Sequence, residues 1–416
     1  MLFPKELKVP EPSPQTTLNN ERKNGFFPVE DMGLFINGEE AVAKREKVLK
    51  IVRAEPEIFG MKEIYHMSRT EKIEHILKQE LRMVELLRED KLTSDDMLLG
   101  MSTVIGLSGP YRLTRSMFIP TLEKQCTEEQ REVFLKPALD YRIIGCYAQT
   151  EMGHGSNIRS LETTATFIEE TGEFELNSPT LTSTKWWIGS LGVACTHACV
   201  IAQLIVKGKN YGIFPFVVPI RSTVDHKPLP GVYIGDIGPK FGVNVMDNGY
   251  LHLNYVVRIK GADPRMTYIS MAQSRTGVAS GMGVLLARAV TVVTRYTAVR
   301  RQFGKVGKLE TPVIDYGIVW HRIIPLIAQA YVMIGMTHEL KNQFVRTTDA
   351  IAKNDFSLLK EMHATSAGLK KWSTTISIYG IDTFHHVLKL ILNNHNIFKY
   401  NKNDNKHDQD GPNYQI

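Results

Sequence analysis

The apolar positions of this chain follow one period, then another, then the first again. In Lys72–Asp90 they fall at Ile73, Ile76, Leu77, Leu81, Val84 and Leu87, one face at helical spacing. Thr127 and Gln130 stand three apart ahead of an apolar run, the spacing of a capping box. This predicts a helical domain over 36–145. Near residue 146 the period shortens. Residues 162–178 read as two strand-like runs around Thr171-Gly172, and 197–206 and 213–220 are apolar runs of strand length. Residues 250–259 alternate through Leu251, Leu253 and Tyr255. Residues 146–262 are therefore expected to form a β domain, a small barrel or sandwich. From 263 the helical period returns in three long segments, predicting a bundle over 263–395. The Pro- and Asn-rich residues 1–35 are expected to be irregular, and the polar tail 396–416 disordered. The predicted class is α+β: helices, a β domain, then a helical bundle.

Composition narrows the function more than the fold. A length of 416 residues suits two or three domains. Charged residues make up 23% and the net charge is +6, mild enough to favour an anionic small molecule but without the basic, aromatic-interleaved runs of a nucleic-acid binder. The cysteines are Cys126, Cys146, Cys195 and Cys199, few for this length, and the apolar run around the last two reads as packing before metal or redox chemistry. No metal site is expected. The N-terminus has no signal-peptide pattern. The most apolar stretch, 323–336, lies between His321 and His338, is shorter than a membrane span and reads as a core helix. Neither a nucleic-acid nor a membrane partner is expected.

Several stretches carry candidate chemistry. Residues 147–157, Tyr-Ala-Gln-Thr-Glu-Met-Gly-His-Gly-Ser-Asn, combine hydroxyls, a carboxylate and two glycines that permit close backbone approach. An anion or a heterocycle fits them, and so does an ordinary surface loop. His154 alone is weak, and Glu151 has no sequence neighbour that would perturb it. The adjacent Trp186 and Trp187, followed by Gly189 and Gly192, suit an aromatic ligand or a core strand end. Arg295, Arg300 and Arg301 close a long helix, where they can grip a pyrophosphate or simply complement the helix dipole. Gly277–Gly283 lacks the spacing of a dinucleotide fingerprint and suits close helix packing.

Taken in order, 146–167, 177–192, 202–221, 226–251, 295–304 and 363–370 closely resemble the straight-chain peroxisomal acyl-coenzyme A oxidases of the acyl-CoA dehydrogenase superfamily. The resemblance covers roughly residues 25–382. It implies FAD as cofactor, with the Thr150 hydroxyl on the flavin and the Gly189 backbone against it. Arg300 matches an arginine that reaches the FAD pyrophosphate across a homodimer interface, with Gln302 and Phe303 beside it. The implied reaction turns acyl-CoA into trans-2-enoyl-CoA. A glutamate removes the α-proton, the flavin takes the hydride, and O2 reoxidises it to give H2O2.

The family's glutamate base lies in a Phe-Glu-Gly-Glu-Asn-like stretch beyond Asp382. Nothing here matches it, so the catalytic residue is unknown. Glu361 precedes the expected position. A second C-terminal helical domain of the family has no counterpart either. Two alternatives stand beside the oxidase. One is a dehydrogenase that passes electrons to a flavoprotein, against which Met152 and His154 speak. The other is a base-less flavin- or acyl-CoA-binding subunit. The resemblance implies a peroxisomal location. The chain ends Asn-Tyr-Gln-Ile rather than in a Ser-Lys-Leu-type signal, which leaves the cytoplasm as the alternative.

Overall fold

The computed structural model describes residues 11–60, 63–103, 109–257, 265–353 and 355–389. The tail expected to be disordered lies outside them. The chain forms two compact units, Gly33–Ser274, and Met1–Met32 with Arg275–Ile416.

α1 (Pro14–Asn24) belongs to the second unit, and α2 (Val29–Asn37) begins there and runs into the first. The first unit goes on with α3 (Glu39–Arg53), α4 (Pro56–Phe59), α5 (Arg69–Arg88) and α6 (Ser94–Thr103). The described part of the N-terminal segment, from residue 11, is thus largely helical where irregular structure was expected. Ser13 accepts a hydrogen bond from the Thr16 N–H, Pro14 occupies the first helical position, and together they start α1. In α5 the buried face runs through Ile76, Gln79, Met83, Val84 and Leu86, while Leu81, expected inside, is 57% exposed. The face turns because Gln79 can be buried: its amide donates to the Ile58 carbonyl at 3.1 Å. Val48 and Val52 of α3, Met83 and Leu86 of α5 and Met97 of α6 close this helical core.

Short helices α7 (Ile119–Gln125), α8 (Glu128–Gln130) and α9 (Lys136–Leu139) lead to the sheets. The Thr127–Gln130 capping box forms in both directions. The strands are β1 (Gly145–Ala148), β2 (Thr164–Ile168), β3 (Glu173–Asn177), β4 (Lys185–Ile188), β5 (His197–Val206), β6 (Lys209–Pro219), β7 (Val232–Asp236), β8 (Gly249–Leu253) and β9 (Val256–Val257). One sheet has the order β1-β5-β2-β3-β9 with β6 on the other side of β5, and the second is β4-β8-β7. Residues Cys146, Val200, Phe216, Ile188 and Leu251 belong to one buried core between them. The alternation expected through Tyr255 stops at Leu253. Tyr255 takes a left-handed backbone (φ 51°) and is 62% exposed, so the expected single strand is two.

β1 and β2 lie end to end along one edge of β5. β1 pairs as far as Ala148 with Val200, and β2 resumes at Thr164 with Gln203. Ile201 and Ala202 face neither strand. The gap opens where residues 149–163 leave the sheet.

In the second unit, α10 (Arg265–Val299) continues into α11 (Gly317–Ala352) and α12 (Leu359–Lys389), with α10 beginning in the first unit. Leu286, Val293, Ile323, Met333 and Phe384 form the core. Gly283 lets the Met333 Cβ approach to 3.0 Å of where its own Cβ would stand; Gly277 and Gly281 have open space. The apolar stretch 323–336 lies inside α11, which at 36 residues is longer than expected. By length and composition α11 and residues 271–299 of α10 are each long enough to cross a membrane. The buried stripe of α11, Ile323, Ala330, Met333, Leu340, Thr347 and Ile351, instead recurs at helical spacing as in a bundle.

One close approach is testable. The fully buried Phe118 ring lies directly on the Gly145 Cα, in the space a side chain would need. Gly145→Ala is expected to destabilise the first unit by about 1–3 kcal/mol through overpacking. An unchanged urea midpoint would show that the ring can move aside.

Candidate functional site

The stretch 149–157 folds against β4, and a buried ion pair holds it there. Lys185 Nζ lies 3.0 Å from Glu151 Oε1, and both side chains are fully buried. The ammonium also donates to the carbonyls of Gln149 at 3.2 Å and Ile201 at 2.7 Å. Its three protons thus meet the start of the loop, the loop's carboxylate and the carbonyl of β5 that faces the gap between β1 and β2. Lys185 belongs to the smaller sheet and Ile201 to the larger, so one side chain ties the two sheets together.

Glu151 is equally committed. Oε1 accepts from the Thr163 N–H at 3.0 Å and the Thr163 hydroxyl at 2.6 Å, and Oε2 accepts from the Glu162 N–H at 2.8 Å. Burial pulls its carboxyl up, but Lys185 and the Thr163 and Glu162 donors outweigh burial and hold it below the usual 4.5. Burial brings Lys185 down to about 8 against the pull of Glu151. Both groups are charged at neutral pH. No sequence neighbour marks Glu151; the groups that perturb it, Lys185, Thr163 and Glu162, lie further along the chain. Lys185 was not a candidate because a lysine among Ser183, Thr184 and the tryptophans reads as a surface residue.

His154 Nδ1 lies 3.4 Å from Glu151 Oε2 and 3.5 Å from Glu162 Oε1. These three residues bring ligand atoms within 4.8 Å of one another, a set that could hold a metal. Lys185 already neutralises Glu151, and Glu162 accepts the hydroxyls of Thr180 and Thr182, so this is first an internal polar frame.

Around that frame lie the other candidate residues of the first unit. The Thr150 carbonyl accepts from the Trp186 N–H at 3.0 Å, while the Thr150 hydroxyl has no hydrogen-bond partner among the described residues. The Trp186 ring stacks on Tyr250 at 6.4 Å. Trp187 has a left-handed backbone (φ 63°) and a ring 54% exposed. Neither tryptophan is fully buried. Gly189 is buried, and a side chain there would strike Leu113 and come within 2.7 Å of the Met246 sulfur. Packing alone demands a glycine at 189. Thr150, Trp187 and Gly189 thus belong together in the first unit. The unpartnered Thr150 hydroxyl and the half-exposed Trp187 are the kinds of polar and aromatic group that fit the ring system of a flavin.

Arg300, Gln302 and Phe303 belong to the second unit, on a hairpin after α10. The Gln302 N–H donates to the Thr311 carbonyl at 3.0 Å, and the Thr311 N–H to the Phe303 carbonyl at 2.9 Å. Arg300 Nη1 donates to the Tyr296 hydroxyl at 2.8 Å. Phe303 is left-handed (φ 59°) and 63% exposed. Cys146, Cys195 and Cys199 are buried and unpaired.

Three family models match consecutive segments: "Acyl-coenzyme A oxidase N-terminal" at 28–144, "Acyl-CoA dehydrogenase, middle domain" at 146–256 and "Acyl-CoA oxidase, C-alpha1 domain" at 268–388. The chain is 37% identical over 387 residues to rat peroxisomal acyl-coenzyme A oxidase 1, covering 88% of this chain and 58% of that protein. The corresponding protein of Arabidopsis thaliana is 38% identical over 389 residues, with the same coverage. Among solved structures, Arabidopsis thaliana acyl-CoA oxidase 1 superposes with a TM-score of 0.83 at 37% identity, over 89% of this chain and 60% of that one. Caenorhabditis elegans acyl-CoA oxidase-2, bound with FAD, ascaroside-CoA and ATP, gives 0.83 at 34% identity over the same shares. The chain spans about three fifths of the length of the relatives it matches.

The ion pair has a pH signature. A carboxylate held below its ordinary value stabilises the fold above pH 4.5 and loses that contribution as pH falls through its folded value. Lys185→Met strands a buried carboxylate, at about 3–5 kcal/mol. That penalty should shrink as pH falls, because without its cation the buried Glu151 takes up a proton more readily folded than unfolded, and the stranded charge disappears. Urea unfolding of wild type and variant at neutral and at mildly acid pH checks this. A deficit that stays the same at both would show that Lys185 does not hold the charge on Glu151.

Proposed function

The chain belongs to the acyl-CoA oxidase family, and from that premise we propose that it binds FAD and oxidises an acyl-CoA to the trans-2-enoyl-CoA, with O2 as acceptor and H2O2 as product. The observation that supports this most is the pairing of the 149–157 stretch with β4, which sets the unpartnered Thr150 hydroxyl beside the Trp187 segment. When bound, FAD supplies the hydride acceptor. We assign the Thr150 hydroxyl to hydrogen bonding with the flavin, and Gly189 to letting the backbone close on it. Arg300, Gln302 and Phe303 are assigned to the pyrophosphate end, in a homodimer in which each chain reaches the partner's cofactor. The guanidinium offers paired N–H donors to phosphate oxygens. The proposed compartment is the peroxisome, as the relatives' names have it.

No carboxylate is assigned as base. Glu151 is committed to Lys185 and Thr163 and held too acidic for the task. Glu361 is exposed on the first turn of α12. The chain's own contribution is therefore to bind and orient.

Two outcomes are expected. Thr150→Ala should weaken FAD binding by about 1 kcal/mol, roughly fivefold. Gly189→Val should weaken it more by driving Leu113 and Met246 apart. Flavin-fluorescence titration reads both, and equal affinities across wild type and the two variants would remove these residues from the site. The second outcome concerns turnover. A general base contributes about 10²- to 10⁴-fold, so these 416 residues alone, loaded with FAD, should release peroxide from long-chain acyl-CoA at least about a hundredfold more slowly than one of the matched relatives. Comparable rates that fall with Glu361→Gln would make Glu361 the base.

A further inference from the structure

The segment that follows β4, Trp187–Cys195, carries more backbone strain and more buried charge than its length suggests. Trp187 and Ser190 both have left-handed backbones, at φ 63° and 66°. For a residue as bulky as tryptophan that conformation is costly and persists only where the surroundings over-determine it. Two buried side chains of opposite charge supply that determination. The guanidinium of Arg221, 5% exposed, spends its donors on three carbonyls of the segment. Nη1 reaches Leu191 at 3.0 Å and Cys195 at 2.8 Å, and Nη2 reaches Gly192 at 2.8 Å. Among the described residues no carboxylate lies within ion-pair distance of it.

Asp247, 4% exposed, takes the opposite groups of the same segment. Its carboxylate accepts from the Val193 N–H at 3.0 Å, and its backbone carbonyl accepts from Leu191 and Gly192 at 2.9 and 3.3 Å. The Ala194 N–H also favours the ionised carboxylate, against the burial that pushes Asp247 above its usual value. The next residue, Asn248, donates its amide to the Trp187 carbonyl at 2.8 Å. A cation thus gathers the carbonyls of the segment and an anion its N–H groups, while the Trp187 ring stays half exposed at its start.

We propose that Arg221 and Asp247 are positioning residues for the flavin, acting through the 187–195 segment: together they lock the strained backbone that presents Trp187 and seats Gly189. This rests on the flavin reading above and adds to it two residues that touch no cofactor. A stability role alone would not explain the arrangement. A buried cation and a buried anion that sit on the same few peptides, and not on each other, fix the path of those peptides rather than simply neutralising charge.

The test uses the full chain and FAD. Arg221→Lys keeps the charge but cannot span three carbonyls. Asp247→Leu removes the N–H acceptor, and Asp247→Asn keeps a carbonyl oxygen for Val193. Leu86→Ala, in the helical core, serves as a destabilised control. FAD affinity, the visible circular dichroism of bound flavin and the urea midpoint are measured for each. Arg221→Lys and Asp247→Leu should weaken FAD by at least about tenfold and change the dichroism, Asp247→Asn should recover most of both, and Leu86→Ala should lower the midpoint with flavin signals unchanged. Wild-type binding of FAD with Arg221→Lys and Asp247→Leu bound identically overturns this inference and leaves the flavin reading standing, as does a loss of affinity that only tracks the midpoint in all variants. Failure of the wild-type chain to bind FAD overturns the flavin reading itself.

Discussion

A lysine ammonium with no access to water organises the sheets of the first unit. Lys185 keeps its charge there only by finding acceptors, because an unpaired ammonium in that position would cost several kcal/mol or give up its proton. It finds one in the sheet edge left open between β1 and β2, one at the root of the 149–157 loop and one on Glu151. Those contacts set the register of the smaller sheet against the larger. A buried pair is poor evidence of net stability, since two apolar side chains could serve as well. Its consequence is geometric: the Thr150 carbonyl meets the Trp186 N–H, and the Thr150 hydroxyl has no partner among the described residues.

The same logic recurs one loop later. Trp187 and Ser190 are held in conformations that they would not choose, and buried polar groups distant in sequence, Arg221, Asp247 and Asn248, bond the peptides around them. The exposed Trp187 thus stands on buried supports. Pre-organisation of this kind lowers the entropy lost when a ring system is gripped. The helical unit follows a different principle. Its long helices meet through one apolar stripe each, and its candidate residues sit on a short hairpin whose backbone bonds are all local.

Much of the fold could be read from residue order because period reports burial. Strands β5 and β6 are apolar runs, and the Thr127–Gln130 cap follows from two residues. The reading failed where one polar contact overrode the period. Gln79 enters the core, where Ile58 offers it a carbonyl, while Leu81 of the expected face stays exposed. Tyr255 leaves its strand because the chain turns at Asn254, whose N–H goes to the Gly231 carbonyl. The candidate residues Thr150, Gly189, Arg300, Gln302 and Phe303 were legible through long motifs that keep their order. Lys185, Arg221 and Asp247 were not. Each is a lone charge beside small or apolar residues, and only the folded chain shows which carbonyls and N–H groups it meets. A charged residue that ends a wholly apolar run, as Arg221 does after 213–220, is the signal that could have found one of them.

The central claim is that the Lys185–Glu151 pair builds one face of a flavin site. A crystal structure of the chain grown with FAD tests it most directly. The account predicts the Thr150 oxygen at about 2.7–3.2 Å from a polar atom of the flavin ring, the Trp187 indole against the ring system, and the Lys185–Glu151 contact intact. A flavin held elsewhere, with Thr150 facing only solvent, would contradict it.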